Sequence, residues 1–325
     1  MKNQKLKPVV SRAGRPKVVN RANQPDQIAG VRLTHPDRIL YPEQGITKRD
    51  LALYYEAIAE WIMPHIKNRP LTLVRCPQGY KKQCFYQRHT RESVGDAIHS
   101  IPIKEGVDTA AYLYVDSLPG LIALVQLGVL ELHTWGSRKE NIERPDRLIF
   151  DLDPDPSVPW TRLKEAAQLL RSRLASVNLT AFVKTTGGKG LHVVVPIKPK
   201  TDWDFAKNFS KSVAESIVRD APQEYIATMS KAKRAGKIFI DYLRNARTAS
   251  AVSAYSTRAR PDAPVSTPLR WEELADDPRS QFTVRSVPGR VARLRKDPWH
   301  DYEAARMVIT EAMLKKVSIA IASGT

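Results

Sequence analysis

The chain has 325 residues, 42% of them hydrophobic, enough to bury a sizeable core as one large domain or two small ones. Lys and Arg outnumber Asp and Glu by 52 to 34, a net charge of +18 that favours a polyanionic partner, since each neutralised phosphate releases condensed counterions. No apolar run approaches the ~18–20 residues of a membrane span, and no secretory leader or basic amphipathic helix is legible, so no membrane partner and a cytoplasmic location are expected.

Residues 1–27 carry Lys2, Lys5, Lys7, Arg12, Arg15, Lys17 and Arg21 with no acid before Asp26, which reads as a disordered basic tail ahead of a folded domain over 28–320. Its "RAGRPK" resembles a minor-groove hook, but one copy leaves the solvated-tail reading standing. Thr47 with Asp50 forms a capping box before a helix over 51–66, whose Tyr54, Tyr55, Ile58, Trp61 and Ile62 fall at core spacing. Strands are expected at 70–79 and 84–89, then an apolar helix leading into a short strand within 112–135. A strand over 147–154, a helix over 161–176, a strand–glycine loop–strand unit over 180–197, a helix over 202–220 and a strand over 237–245 follow. A Pro- and Arg-rich stretch precedes a last helix around 301–316. The irregular alternation indicates an α+β fold with a mixed or antiparallel sheet. Cys76 and Cys84 lack zinc spacing and are expected to be reduced.

The chemistry concentrates in three places. In "FDLDPDP", Asp151 and Asp153 alternate on a strand and share a face, while Asp155 follows Pro154 and falls off register. Two carboxylates this close conflict unless a divalent cation joins them, although an acidic turn is the plain alternative. In "TTGGKGLH", glycines let backbone N–H groups face an anion beside Lys189, with the Thr186 hydroxyl and His192 at hand; the loop lacks the Walker A pattern, and a simple turn is the alternative. Asp241 follows the apolar run Ile238–Ile240, where a charge needs a cation, either Arg244 in a salt bridge or a metal shared with the first pair.

This order of motifs resembles the archaeo-eukaryotic primase superfamily. More narrowly, residues from about 30 to 310 resemble the polymerase domain of bacterial ligase D, the non-homologous end-joining enzyme, through "LTHPDRILYPEQGITKRDL", "HTWGSR", "FDLDPDP", "TTGGKGLHV", "FIDYLRN" and "TASAVSAYSTRARP". The resemblance implies a primase-polymerase fold, its catalytic part built like an RNA-recognition motif and flanked by helices. It also implies a metal-dependent nucleotidyltransferase that adds nucleotides, ribonucleotides by preference, to 3′-hydroxyls at gaps and double-strand breaks. Asp151, Asp153 and Asp241 match the triad that binds two Mn²⁺ or Mg²⁺ ions, and His133, Thr186, Lys189, His192, Arg244, Arg258 and Arg260 match residues at the nucleoside triphosphate. His35, Arg38 and Lys48 match the pocket for the downstream 5′-phosphate, and Arg75, Phe85, Tyr86 and Arg88 the segment lining template and nucleotide.

Elementary chemistry agrees in part: Arg38 and Lys48 are cations suited to a phosphate monoester, and Phe85 and Tyr86 offer stacking faces. Plain readings stand beside them, a turn residue for His35 and core positions for Phe85 and Tyr86. The chain departs from the family pattern at Val74, Tyr86, Arg88 and Thr186, where a basic residue, phenylalanine, lysine and serine are usual. No KxDG ligase nucleophile occurs, so a separate ATP-dependent ligase and the Ku end-binding protein are implied partners, with DNA, at the nucleoid. A phosphatase using the Asp-x-Asp pair is disfavoured by Asp155 at the fourth place, where a small Thr or Val is usual. A non-catalytic binding module is disfavoured by three intact carboxylates.

Overall fold

Strand Arg147–Pro154 is the axis of the molecule: it pairs antiparallel with Leu191–Pro196 on one side and with Ile238–Asp241 on the other. The computed structural model describes residues 26–90 and 96–319. Phe182–Thr185 and Pro268–Leu269 extend the first side antiparallel, and Tyr225–Ile226 extends the second in parallel, giving six strands. Period-2 alternation divides the central strand. Leu148, Phe150 and Leu152 join the main core with Leu163, Ala167 and Leu170 of helix Trp160–Ala175, while Ile149, Asp151 and Asp153 face the other way.

A second, four-stranded antiparallel sheet runs in the order Ser250–Val252, Val129–Trp135, Leu71–Arg75, Phe85–Gln87. The α+β architecture with mainly antiparallel sheets is thus as expected. The capping box forms, with Thr47 and Asp50 bonding reciprocally at the start of helix Lys48–Ala57. The expected single helix over 51–66 is two, because Ile58 leaves helical angles (φ −113°, ψ 17°) before Ala59–Ile66. The new direction keeps Ile58, Ile62 and Ile66 fully buried, a turn that continuous helical spacing does not reveal.

Other expectations need correction. The hairpin His99–Glu105/Asp108–Tyr114 falls largely on a stretch with no assigned element; its Pro102 is tolerated because the two strands form a separate ribbon. The strand expected over 237–245 stops at Asp241, and Leu243–Asn245 is a single 3₁₀ turn. The last helix is Glu311–Ile319 rather than 301–316, since Trp299 and Tyr302 stack on each other and pack on Ile149 and Phe182 of the sheet. The expected tail lies outside the described residues as far as 25. Asp26 and Gln27 belong to the fold, one receiving Arg49 Nη2 at 3.0 Å and the other opening strand Gln27–Ile28.

The cysteines are also corrected: Cys76 and Cys84 form a disulfide. Antiparallel pairing of Arg75 with Phe85 brings the residue after the one and the residue before the other together, leaving these Cα atoms 4.4 Å apart. Eight-residue spacing alone does not disclose a hairpin register.

A buried ion pair ties the two sheets' flanks. Arg69, at 2% exposure, donates twice to Asp146 at 2.7 Å, and Arg138 and Arg306 approach the same carboxylate. Burial alone would raise the Asp146 pKa, but Arg69, Arg147 and Arg306 hold it down at about 2. We expect Asp146→Ala to cost about 3–5 kcal/mol, because it strands these guanidinium groups without a counter-charge, read as a lower urea midpoint. The depressed pKa also makes part of the stability acid-labile. It is fully present above the unfolded value near 4 and lost as pH falls through about 2, a loss of roughly 2–3 kcal/mol that should be absent in the variant. Closing the short loop from 76 to 84 should contribute about 2–3 kcal/mol by chain entropy, so Cys84→Ser should lower the melting temperature, and unreduced peptide mapping should recover the linked pair.

Candidate active site

The two sheets enclose a cavity of about 350 Å³. The six-stranded sheet contributes Asp151, Asp153 and His192, the four-stranded sheet contributes His133, Ala251 and Val252, and loops supply Thr186, Gly188, Lys189, Arg244, Arg258 and Arg260. Asp241 sits directly opposite Asp151 in the ladder, with Asp153 one same-face position further along. The three predicted carboxylates therefore meet at one place.

Each meets a Lys or Arg side chain, and Asp151 also meets the ring of His192. Asp151 lies 3.5 Å from His192 Nε2 and 3.4 Å from Arg244 Nη2; Asp153 lies 3.2 Å from Lys189 Nζ and 3.4 Å from Arg234 Nη1. Asp241 lies 3.2 Å from Arg244 Nε and accepts the Leu243 N–H at 2.8 Å. Burial would raise Asp151, yet His192 and Arg244 hold it down at about 2. Asp241 goes the other way: burial and the charge of Asp151 push it up, with Arg244 opposing. Two neighbouring carboxylates of which one resists ionisation are a donor set that a hard divalent cation fits, since a dication removes the conflict. Among the described residues, no group of three or more His, Cys, Asp or Glu side chains stands ready-arranged around a metal. Arg244, Lys189 and Arg234 do the balancing here.

Backbone geometry builds the loop. Gly187 is left-handed at φ +66°, and a Cβ there would come within 2.7 Å of Arg258 Cγ. Gly190 lets the loop close on the carboxylate strand, for its Cβ would fall 2.4 Å from Leu152 O. The Thr186 hydroxyl donates to Gly190 O at 3.0 Å, Arg258 Nη1 donates to Thr186 O, and Lys189 Nζ donates to Pro154 O at 2.6 Å. His192 is 2% exposed and held neutral by burial, its pKa near 4. It backs Asp151 from within the sheet.

The other predicted residues lie apart from this cavity. Phe85 and Tyr86 are 42% and 74% exposed on the sheet's edge strand, which removes the core reading of them. Arg75 lies over the Phe85 ring and bonds Leu127 O and Gln87, and Arg88 is exposed. His35 is exposed at φ +52°, and Arg38 donates to Pro77 O. Lys48 is buried, with Nζ donating to Thr34 O and Gln126 O; burial and the nearby Arg38 push its pKa down. Asp155 caps Ser157 in a turn, off the metal face as its register suggested.

Sequence reasoning missed four contributors. The Asn245 side chain brackets strand Arg147–Pro154 by bonding Ile149 N and O at 2.7 and 2.8 Å, fixing the turn that carries Arg244. Lys184 is buried opposite His192 in the ladder with Nζ on Ser266 Oγ. Arg234 and Glu131 complete the charge pattern around the site. Only the "LRN" landmark held a signal for any of them.

The LigD primase-polymerase domain family matches residues 47–299. The chain belongs to that family. The multifunctional non-homologous end joining protein LigD of Pseudomonas aeruginosa is 39% identical over 291 residues, 89% of this chain and 35% of that protein. LigD of Mycobacterium tuberculosis is 34% identical over 81% of this chain and 36% of that protein, and the bifunctional LigD of Bacillus subtilis is 25% identical over 81% and 43%. The chain thus spans about a third of the length of the first two. The solved polymerase domain of Mycobacterium tuberculosis ligase D in complex with DNA superposes with a TM-score of 0.79 at 32% identity, covering 84% of this chain and 98% of that one. Among the described residues no helix is long and apolar enough to cross a membrane.

The close approach at Gly190 makes a sharp test of this LigD-family site. Gly190→Ala must push the loop off Leu152 O, and we expect folded protein with at least a tenfold loss of any activity that uses Asp151, measured beside an unchanged far-ultraviolet spectrum.

Proposed function

We propose that this chain is a DNA-repair polymerase that extends a 3′-hydroxyl at gaps and double-strand break ends in non-homologous end joining, by in-line attack on a nucleotide α-phosphate. The observation that carries the proposal is a cavity lined by Asp151 and Asp153 and rimmed by a glycine loop and Lys189, Arg244, Arg258 and Arg260, with Asp241 in register opposite Asp151 beside it. A triphosphate is tetra-anionic in round terms, and this rim offers it cations and backbone N–H groups at a concave wall.

Asp151, Asp153 and Asp241 would hold two Mn²⁺ or Mg²⁺ ions, whose charge would offset that of the transferring phosphoryl group. The chain's own residues do the positioning. Lys189 and Arg244 already sit against the carboxylates and can turn to phosphate oxygens, Arg258 braces the glycine loop, and exposed Arg260 lies against Gly188 at the cavity rim. Phe85 and Tyr86, exposed beside Arg75, suit the stacking of template bases. His35 and Arg38 suit the downstream 5′-phosphate, with buried Lys48 adding charge from beneath. Burial and then the charge of Arg38 push the Lys48 pKa down, and an anion there would offset that repulsion. We further propose ribonucleotides as preferred substrates, and Ku and a separate ligase as partners at the nucleoid.

The test is extension of a labelled primer across a short gap in Mn²⁺, with ribo- or deoxynucleotides and with the downstream end phosphorylated or not. We expect faster ribonucleotide addition, stimulated by the 5′-phosphate, and a loss of 10²-fold or more in Asp151→Asn and Asp241→Asn. Arg38→Ala should lose the phosphate stimulation alone. Equal extension by wild type and Asp151→Asn would sink the metal assignment. Absence of extension under all conditions would leave a DNA-binding module.

A further inference from the structure

Glu131 has no part in the functions assigned so far, yet it joins two walls of the cavity. On strand Val129–Trp135 it shares a face with His133, two residues on. It is 5% exposed; Oε2 lies 2.8 Å from His133 Nε2 and 3.0 Å from Arg258 Nε, and Oε1 accepts the Ala259 N–H at 2.9 Å. Burial would raise its pKa, but His133 and Arg258 hold it down at about 2, so it is an acceptor only.

The proton shared with His133 therefore resides on Nε2. Burial pushes the His133 pKa down despite Glu131, with Arg258 and Arg244 adding to the effect, so the ring is neutral near pH 7. A neutral imidazole protonated at Nε2 has a lone pair at Nδ1 and no second donor. His133 lines the cavity, and its remaining nitrogen cannot donate to a phosphate oxygen. It suits a neutral O–H. Arg258, the other group Glu131 holds, donates to Thr186 O, so the same carboxylate steadies the glycine loop.

We propose that Glu131 is a positioning residue of the nucleotide site: it sets His133 to accept a hydrogen bond from a sugar hydroxyl of the incoming nucleotide, and it anchors Arg258 against the glycine loop. The inference rests on the nucleotide reading of the cavity and assigns His133 to the sugar in place of the triphosphate.

The test is calorimetric titration of the intact protein in Mn²⁺ with ATP, 2′-deoxy-ATP and 3′-deoxy-ATP, for wild type, Glu131→Gln and His133→Ala, each checked by thermal melting. Wild type should bind ATP about 5–10-fold more tightly than one of the two deoxy analogues, and which one identifies the hydroxyl. Both variants should bring that ratio to about one, with Glu131→Gln also weakening all three ligands through Arg258. A purely structural role would weaken all three and keep the ratio, and that result overturns the proposal. If Glu131→Gln does not fold, the ratio in His133→Ala decides: a retained ratio overturns it, a lost one supports it. Tight binding of all three ligands with equal affinity by wild type overturns this proposal alone. No binding of any of them overturns the nucleotide reading as well.

Discussion

Everything at the site depends on the pairing of strand Arg147–Pro154 on both its edges. Because Asp151 is in register with His192 on one side and Asp241 on the other, three ionisable side chains are brought together by backbone hydrogen bonds rather than by their own attraction. Carboxylates left to themselves would separate. The ladder, the helices packed under Leu148, Phe150 and Leu152, and the Asn245 bracket hold them in place, and the electrostatic cost is met by Arg244, Lys189 and Arg234.

The same logic explains where the excess positive charge goes. Some of it is structural: Arg69, Arg138 and Arg306 converge on Asp146, and Lys48 lies beneath a turn. Another part surrounds the cavity and is only loosely satisfied by carboxylates, as where Arg244 is shared between Asp151 and Asp241 at 3.2–3.4 Å. Such cations can exchange one set of oxygens for another. A site that balances its carboxylates with partly exposed arginine and lysine side chains is suited to trading them for metal and phosphate together.

The legibility of the molecule follows from the range of its interactions. The capping box at Thr47, the alternation of Asp151 and Asp153, and the glycine loop are each contained within a few residues, so the pattern announces them. The break at Ile58, the disulfide and the seating of Trp299 and Tyr302 are settled by partners far away in the chain or by hairpin register, and no local pattern carries them. Glu131 is the instructive case. In sequence it is an acid in an apolar strand, much like Asp241, but its meaning comes from Arg258 and Ala259, more than 120 residues later.

The sequence by itself determined the α+β class, the face shared by Asp151 and Asp153, and the family, because periodicity and ordered motifs survive in one dimension. Only the tertiary structure decided that Asp241 lies opposite Asp151, that Lys48 is buried while Tyr86 is bare, and that His133 meets Glu131 through Nε2. Those are matters of register and burial. Both are set by which strands meet, a choice made by the whole core at once and written in no single segment of it.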